Sequence, residues 1–240
     1  MSSSNIRQIR RIGFLVFTLA MTALLVKLGM WQMSRGAEKE VLLSQLAERS
    51  QQEFTTLTSL PPDLKGTRVK LIGQFDASKS VLLDNQTFEG RVGYRWFQPL
   101  RSDNHWVLVE LGWVAAPATR DTLPTLPALE GQFSVSGTID FPSDRVVLAQ
   151  VETENGWPKR VQSVEIQGLE QASGLSLKPW LIRGDVISDS NGESFSTGAK
   201  PIWEPVVMKP EKHYAYAMQW FGLALVVVIG FGLWWRKGRI

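Results

Sequence analysis

The chain has 240 residues, a formal net charge of +3, no cysteine and two histidines. The missing thiols exclude a CxxC redox pair, Cys-ligated zinc and a thiolate copper site, and six methionines alone make a poor copper carrier. The net charge is small and its basic residues gather beside two apolar runs, which excludes nucleic acid as the expected partner.

Residues 1–11 form a short tail carrying Arg7, Arg10 and Arg11. The run that follows holds one charge, Lys27, near its end, and predicts a first membrane helix over residues 12–31. About twenty apolar residues span a hydrocarbon core at helical rise, and a long basic side chain near the end reaches back to the interface. A basic tail before an apolar run also suits a cleaved signal peptide. Bulky Leu28, Met30, Trp31 and Met33 crowd the exit, however, and only Ser34 with Gly36 resembles a small-x-small site, so an uncleaved anchor is expected.

Residues 32–212 read as a β-rich domain outside the cytoplasm. The stretch "GAEKEVLLSQLAERSQQEF", with Val41, Leu42 and Leu46 apolar among charges, predicts a short amphipathic helix that ends before Pro61 and Pro62. Strands are predicted in "RVKLIGQF", "SVLLDNQ", "GYRWFQPL", "HWVLVELGWV", "FSVSGTIDF" and "VVLAQVE", each rich in β-branched and aromatic residues and bounded by Gly, Pro, Asp or Asn. Gly73 and Gly137 interrupt alternating apolar residues and predict bulges or bends in a curled sheet or small barrel. Ser102 to Asn104 predict a hairpin turn, "ATRDTLPTLPAL" a loop, and "SVEIQGLEQASGLSL" a short helix closed by Gly174.

A second membrane helix is predicted over 213–235, where no residue is charged, and residues 236–240 form a basic tail. Two spans place both termini on one side, and Arg7, Arg10, Arg11, Arg236, Lys237 and Arg239 mark that side as cytoplasmic. The fold class is therefore a membrane-anchored α+β protein, two transmembrane helices flanking a β-rich extracytoplasmic domain. In a bacterium that arrangement means a two-pass inner-membrane protein with a periplasmic centre.

No nucleophile elbow, P-loop, dinucleotide glycine pattern or HExxH helix is present, and Asp84, Asp121, Asp140 and Asp185 fall in turn or strand-end contexts. The expectation is a non-enzymatic carrier, chaperone or assembly factor. The second span opens with "KHYAYAMQW", where His213, Tyr216, Ala217 and Trp220 share one helical face. Imidazole at that depth can ligate haem iron, beside aromatic surface that accommodates a flat macrocycle; interfacial anchoring by His, Tyr and Trp explains the same residues. At the exit of the first span, Trp31 and Arg35 stand at i and i+4, where a guanidinium can pair with a carboxylate or propionate, or where both simply anchor the helix in lipid. Met30, Met33, Met208 and Met218 sit where lipid contact accounts for them, and His105 is expected to be solvent-exposed in its turn.

Four blocks occur in order: Gly29-x-Trp31-Gln32-x-x-Arg35, "LLDNQTFEGRVGYRWFQPL", "VLVELGWV" followed by Arg120, and "HYAYAMQWFGLAL". Together they resemble the Surfeit locus family of cytochrome c oxidase assembly proteins across nearly the whole chain. The resemblance implies an inner-membrane assembly factor that serves a haem-copper oxidase catalytic subunit and is associated with haem a delivery, with haem a synthase a further possible partner. It implies His213 as a haem ligand, with Tyr216, Trp220, Trp31 and Arg35 as the surrounding site. One departure stands out: many members read Asn-Arg-Gly-Trp where this chain has Glu110-Leu111-Gly112-Trp113, which puts haem affinity more in doubt than oxidase assembly. Two rival readings remain, a haem-independent chaperone for an oxidase subunit and a membrane-anchored periplasmic sensor. The short tails count against the sensor.

Overall fold

The structure, a computed structural model, describes residues 3–119, 121–142 and 156–237. It divides into two compact units, residues 46–204 and the two chain ends, residues 1–45 with 205–240.

Alternation builds the central unit. In β2 (Arg68–Phe75) Val69, Leu71 and Phe75 are buried while Lys70, Ile72 and Gln74 face outward, and β6 (Gln132–Asp140) buries Phe133, Val135 and Ile139 in the same rhythm. The two strands pair antiparallel from Arg68 opposite Thr138 to Gln74 opposite Gln132, so their apolar sets meet on one face. The sheet order is β1-β2-β6-β8-β5-β4-β3-β7, with β1 at Glu53–Phe54, β3 at Val81–Phe88, β4 at Arg91–Ser102, β5 at His105–Ala115, β7 at Lys159–Val161 and β8 at Leu177–Ser188.

A further pairing, Gln74 with Arg101 and Phe75 with Leu100, returns β2 to β4 and closes β2-β6-β8-β5-β4 into a five-stranded barrel. Closure removes the unpaired edges that an open sheet would leave. Of the two glycines expected to mark bulges or bends, Gly137 sits at a register irregularity and Gly73 lies in an unbroken register, and both allow close backbone approach. A Cβ on Gly137 would lie 2.5 Å from the Arg183 carbonyl oxygen, beside a register shift between Ser136 and Gly137, and one on Gly73 would strike the Arg101 carbonyl at the closing seam. Ser102 Oγ donates to the Ile72 carbonyl across that seam at 2.9 Å.

Trp96, Leu71, Leu100, Val107, Val109, Val135 and Ile182 fill the barrel, all at or below 1% exposure. β4 and β5 lack clean alternation because both their faces are covered. The outward face of this half, with Val81, Phe97, Leu108 and Leu181, is packed by α2 (Ile166–Ser173) through Leu169. Gly174 ends α2 in the left-handed conformation, φ 72°, and its N–H bonds the Glu170 carbonyl, as a glycine stop requires. Asp103 and Asn104, both at positive φ, make the predicted β4–β5 turn, and His105 opens β5 exposed.

Two readings change. The amphipathic stretch after the first apolar run is no separate helix: α1 is continuous from Ser3 to Arg49, because residues 32–37 hold no proline and a lone glycine, Gly36, costs a helix only about 1 kcal/mol. The strand β8, absent from the sequence reading, is a wall of the barrel. Its Pro179 falls where β8 slips register against β5, between Leu177 and Leu181, which is where a sheet tolerates a missing N–H. The predicted strand "VVLAQVE" and Arg120 lie outside the described residues.

The other unit pairs α1 with α3 (Pro210–Lys237), and both helices are long and apolar enough to cross a membrane. Pro210 sets the first turn of α3, Glu211 follows it, and Arg236 and Lys237 complement the dipole at its end. Most apolar side chains point away from the pair, Val226 being 64% exposed and Leu19 61%. A soluble core helix would bury them; lipid accepts them. The helices run antiparallel, with Gly36 against Tyr214, Gly29 against Phe221 and Phe14 against Trp234 at 4.6 Å between ring centroids.

Candidate functional site

The contact face of α1 carries Gly29, Gln32 and Gly36 at helical spacing, and that of α3 carries His213, Ala217 and Ala224. A Cβ on either Gly29 or Gly36 would lie 2.5 Å from a ring carbon of Phe221 or Tyr214, so both positions require glycine for the helices to approach this closely. Between them, His213 Nδ1 lies 2.8 Å from Gln32 Oε1, a half-buried contact across 181 residues of sequence. Among the described residues the other ring nitrogen, Nε2, has no hydrogen-bond partner.

The remaining predicted site residues fall into two groups. On α1, the Arg35 guanidinium sits 5.9 Å from the Trp31 ring and pairs with Glu38 at 2.7 Å, both members about half exposed. The carboxylate that meets Arg35 is thus supplied one turn along its own helix. On α3, Tyr216 is 43% exposed and Trp220 half-buried, and among the described residues neither ring has a hydrogen-bond or aromatic partner. The structure brings His213 onto Gln32 and Trp31 onto Arg35. Among the described residues no hydrogen bond or ring contact joins Tyr216 or Trp220 to Trp31 or Arg35.

Gln32 is the member that the sequence reading left without a role. In the sequence it stands only as one member of the Gly29-x-Trp31-Gln32-x-x-Arg35 block. The signal that could have exposed it is its place one turn from each of two glycines, which puts it on the contact face.

The donor set decides what kind of iron or metal this region suits. Among the described residues no three His, Asp or Glu side chains gather, so a bare ion would find too few ligands. A porphyrin brings four nitrogens of its own and asks the protein for an axial imidazole and flat apolar surface. His213 is the residue here that could supply such an imidazole, and Trp31 and Tyr216 are exposed aromatic side chains, at 50% and 43%.

The central unit holds a different polar cluster. Glu110, 2% exposed, approaches Arg95 Nε at 2.6 Å without an aligned hydrogen bond, and its other oxygen accepts from Arg183 Nη1. Arg183 also donates through Nε and Nη2 to Asp140 at 3.0 and 2.9 Å, and its guanidinium lies 5.8 Å from the Trp203 ring. Burial pushes the Arg95 guanidinium's proton affinity down, and the Glu110 charge opposes that shift. Nearby, a hydrogen bond to Asp185 holds Arg68 above the usual arginine value, against partial desolvation. A cavity of about 230 Å³ opens beside Glu110, Arg183, Asp185 and Trp203. The charges pair with one another across β4, β5, β6 and β8, which we read as an internal brace of the barrel wall, although Arg95 Nε and Glu110 Oε1 make no hydrogen bond among the described residues. Leu111, where the resemblance leads one to expect arginine, is 3% exposed inside the barrel core, so leucine suits the place it occupies.

A model of the SURF1 family matches residues 19–225, from within α1 to within α3. The chain belongs to the SURF1 family. This is the family of oxidase assembly factors that the sequence blocks resemble. A SURF1-like protein of Rickettsia conorii (strain ATCC VR-613 / Malish 7) is 24% identical over 230 residues, covering 93% of this chain and 90% of its own. One of Rickettsia felis (strain ATCC VR-1525 / URRWXCal2) is 24% identical over 225 residues, covering 89% and 93%. Both matches run over most of this chain and most of the relative's own length.

Proposed function

We propose that this SURF1 family member is a membrane-anchored assembly factor for a haem-copper oxidase, holding haem a as cargo for the catalytic subunit at the outer face of a bacterial inner membrane. The observation that carries the reading is the placement of His213: one imidazole, half-buried at the start of α3, whose Nε2 has no hydrogen-bond partner among the described residues, with exposed aromatic surface on both helices of the pair. His213 is the axial ligand; Trp31, Tyr216 and Trp220 offer flat surface; Arg35, exchanging Glu38 for a propionate, holds the macrocycle's edge. An exposed ion pair is weak enough to exchange, worth about 0–1 kcal/mol. Residues 32–212 face the periplasm, and haem a synthase is the reasonable donor of the cargo. Nothing in this role calls for catalysis by the protein.

The test is the visible spectrum of detergent-purified protein from cells making haem a, wild type beside His213→Ala. A Soret band and an α-band are expected in the wild type and absent in the variant, with oxidase content falling in cells that carry only the variant. Normal oxidase content with His213→Ala and no chromophore in either protein would leave the protein a haem-independent chaperone of the oxidase subunit.

A further inference from the structure

We infer that Gln32 is a positioning residue that fixes which nitrogen His213 offers to a ligand. The inference rests on the haem reading for its purpose, while the contact itself stands on geometry. A glutamine Oε1 only accepts hydrogen bonds. Facing Oε1 at 2.8 Å, a neutral His213 ring carries its proton on Nδ1, and Nε2 keeps its lone pair. Metal-ligating imidazoles are oriented and made more basic by such a bond to the far ring nitrogen.

The helix packing builds this contact in. Gly29 and Gly36 flank Gln32 by about one turn on each side, and each gives up its Cβ space to an aromatic ring of α3. Larger residues at either site would separate the helices and open the 2.8 Å contact. Beside lipid, where few other polar partners exist, the bond is stronger than it would be in water. The opposite orientation of the amide, its N–H donating into Nδ1, would place the proton on Nε2 and block coordination. The two cases differ by one proton's position.

That position is measurable because the chain has two histidines and one of them, His105, can be replaced to assign the spectrum. Full-length, [15N]histidine-labelled protein in detergent is recorded well above the ordinary imidazole pKa of about 6.5, as wild type, Gln32→Leu and Gln32→Glu. Wild type and Gln32→Glu, whose carboxylate also accepts, are expected to show the Nδ1–H tautomer of His213. Gln32→Leu is expected to show the tautomer mixture of a free ring. Haemin titrated into the same samples is expected to bind about 10–100-fold more weakly to Gln32→Leu, with Gln32→Glu restoring most of the affinity.

An Nε2–H tautomer in the wild type, or a Gln32→Leu protein unchanged in both tautomer and haemin affinity, would overturn the inference. Failure of the wild type to bind haemin while its Nδ1 stays protonated would overturn the haem role and leave the tautomer assignment standing.

Discussion

At the scale of the residue, burial decides which charges matter. Glu110 sits at 2% exposure between two guanidinia, whereas Arg35 and Glu38 meet in the open. Glu110→Gln removes the anion that Arg95 is paired with among the described residues and leaves that cation desolvated. It is expected to cost about 3–5 kcal/mol in denaturant unfolding followed by near-UV circular dichroism, as other broken buried pairs do. Glu38→Gln on the exposed helix face is expected to cost under about 1 kcal/mol in the same measurement. A loss of similar size in both variants would show that the Glu110 cluster is not a brace. None of this ranking was legible from the sequence, where Glu110 read as a strand residue and Asp140 as a strand end. Their shared partner, Arg183, lies in a strand that the sequence reading missed.

At the scale of the element, glycines mark where backbones touch. Gly73 and Gly137 could be singled out from their interruption of alternating apolar residues, and the structure places a neighbouring carbonyl where each Cβ would go. Gly73→Ala forces β2 away from β4 at the closing seam and is expected to cost about 1–3 kcal/mol in the unfolding measurement. Gly230→Ala, in α3 with nothing within 4 Å, is expected to leave the melting temperature unchanged or raised. Equal effects would mean that the barrel does not close through Gly73. The strands β2 and β6 were readable because one face is buried and one is wet. β8 was not, because its proline and its two covered faces erase the pattern that identifies a strand. The length of α1 was underestimated for the converse reason: a change from apolar to amphipathic composition marks a change of surroundings along a helix without breaking it.

At the scale of the whole molecule, the chain runs from one helix with a lipid-suited surface through a closed barrel to a second such helix. The absence of native cysteine allows a direct test of the proposed topology. A single cysteine at Lys70, exposed on β2, is expected to react with a membrane-impermeant maleimide in intact spheroplasts, and one at Arg236 only after lysis. The reverse pattern would invert the protein and remove His213 from the periplasmic interface. Alkaline carbonate is expected to leave the protein in the membrane pellet; its release would contradict two spanning helices.

The sequence by itself determined the class of the protein. Apolar length sets the spans, alternation sets the half-exposed strands, and ordered blocks over most of the chain point to the SURF1 family. These are properties that local composition and spacing express directly. Only tertiary structure decided that β2 returns to β4, that Glu110 and Asp140 share Arg183, and that Gln32 meets His213. Each of those contacts joins residues distant along the chain, and which distant residues meet depends on packing that no local pattern encodes.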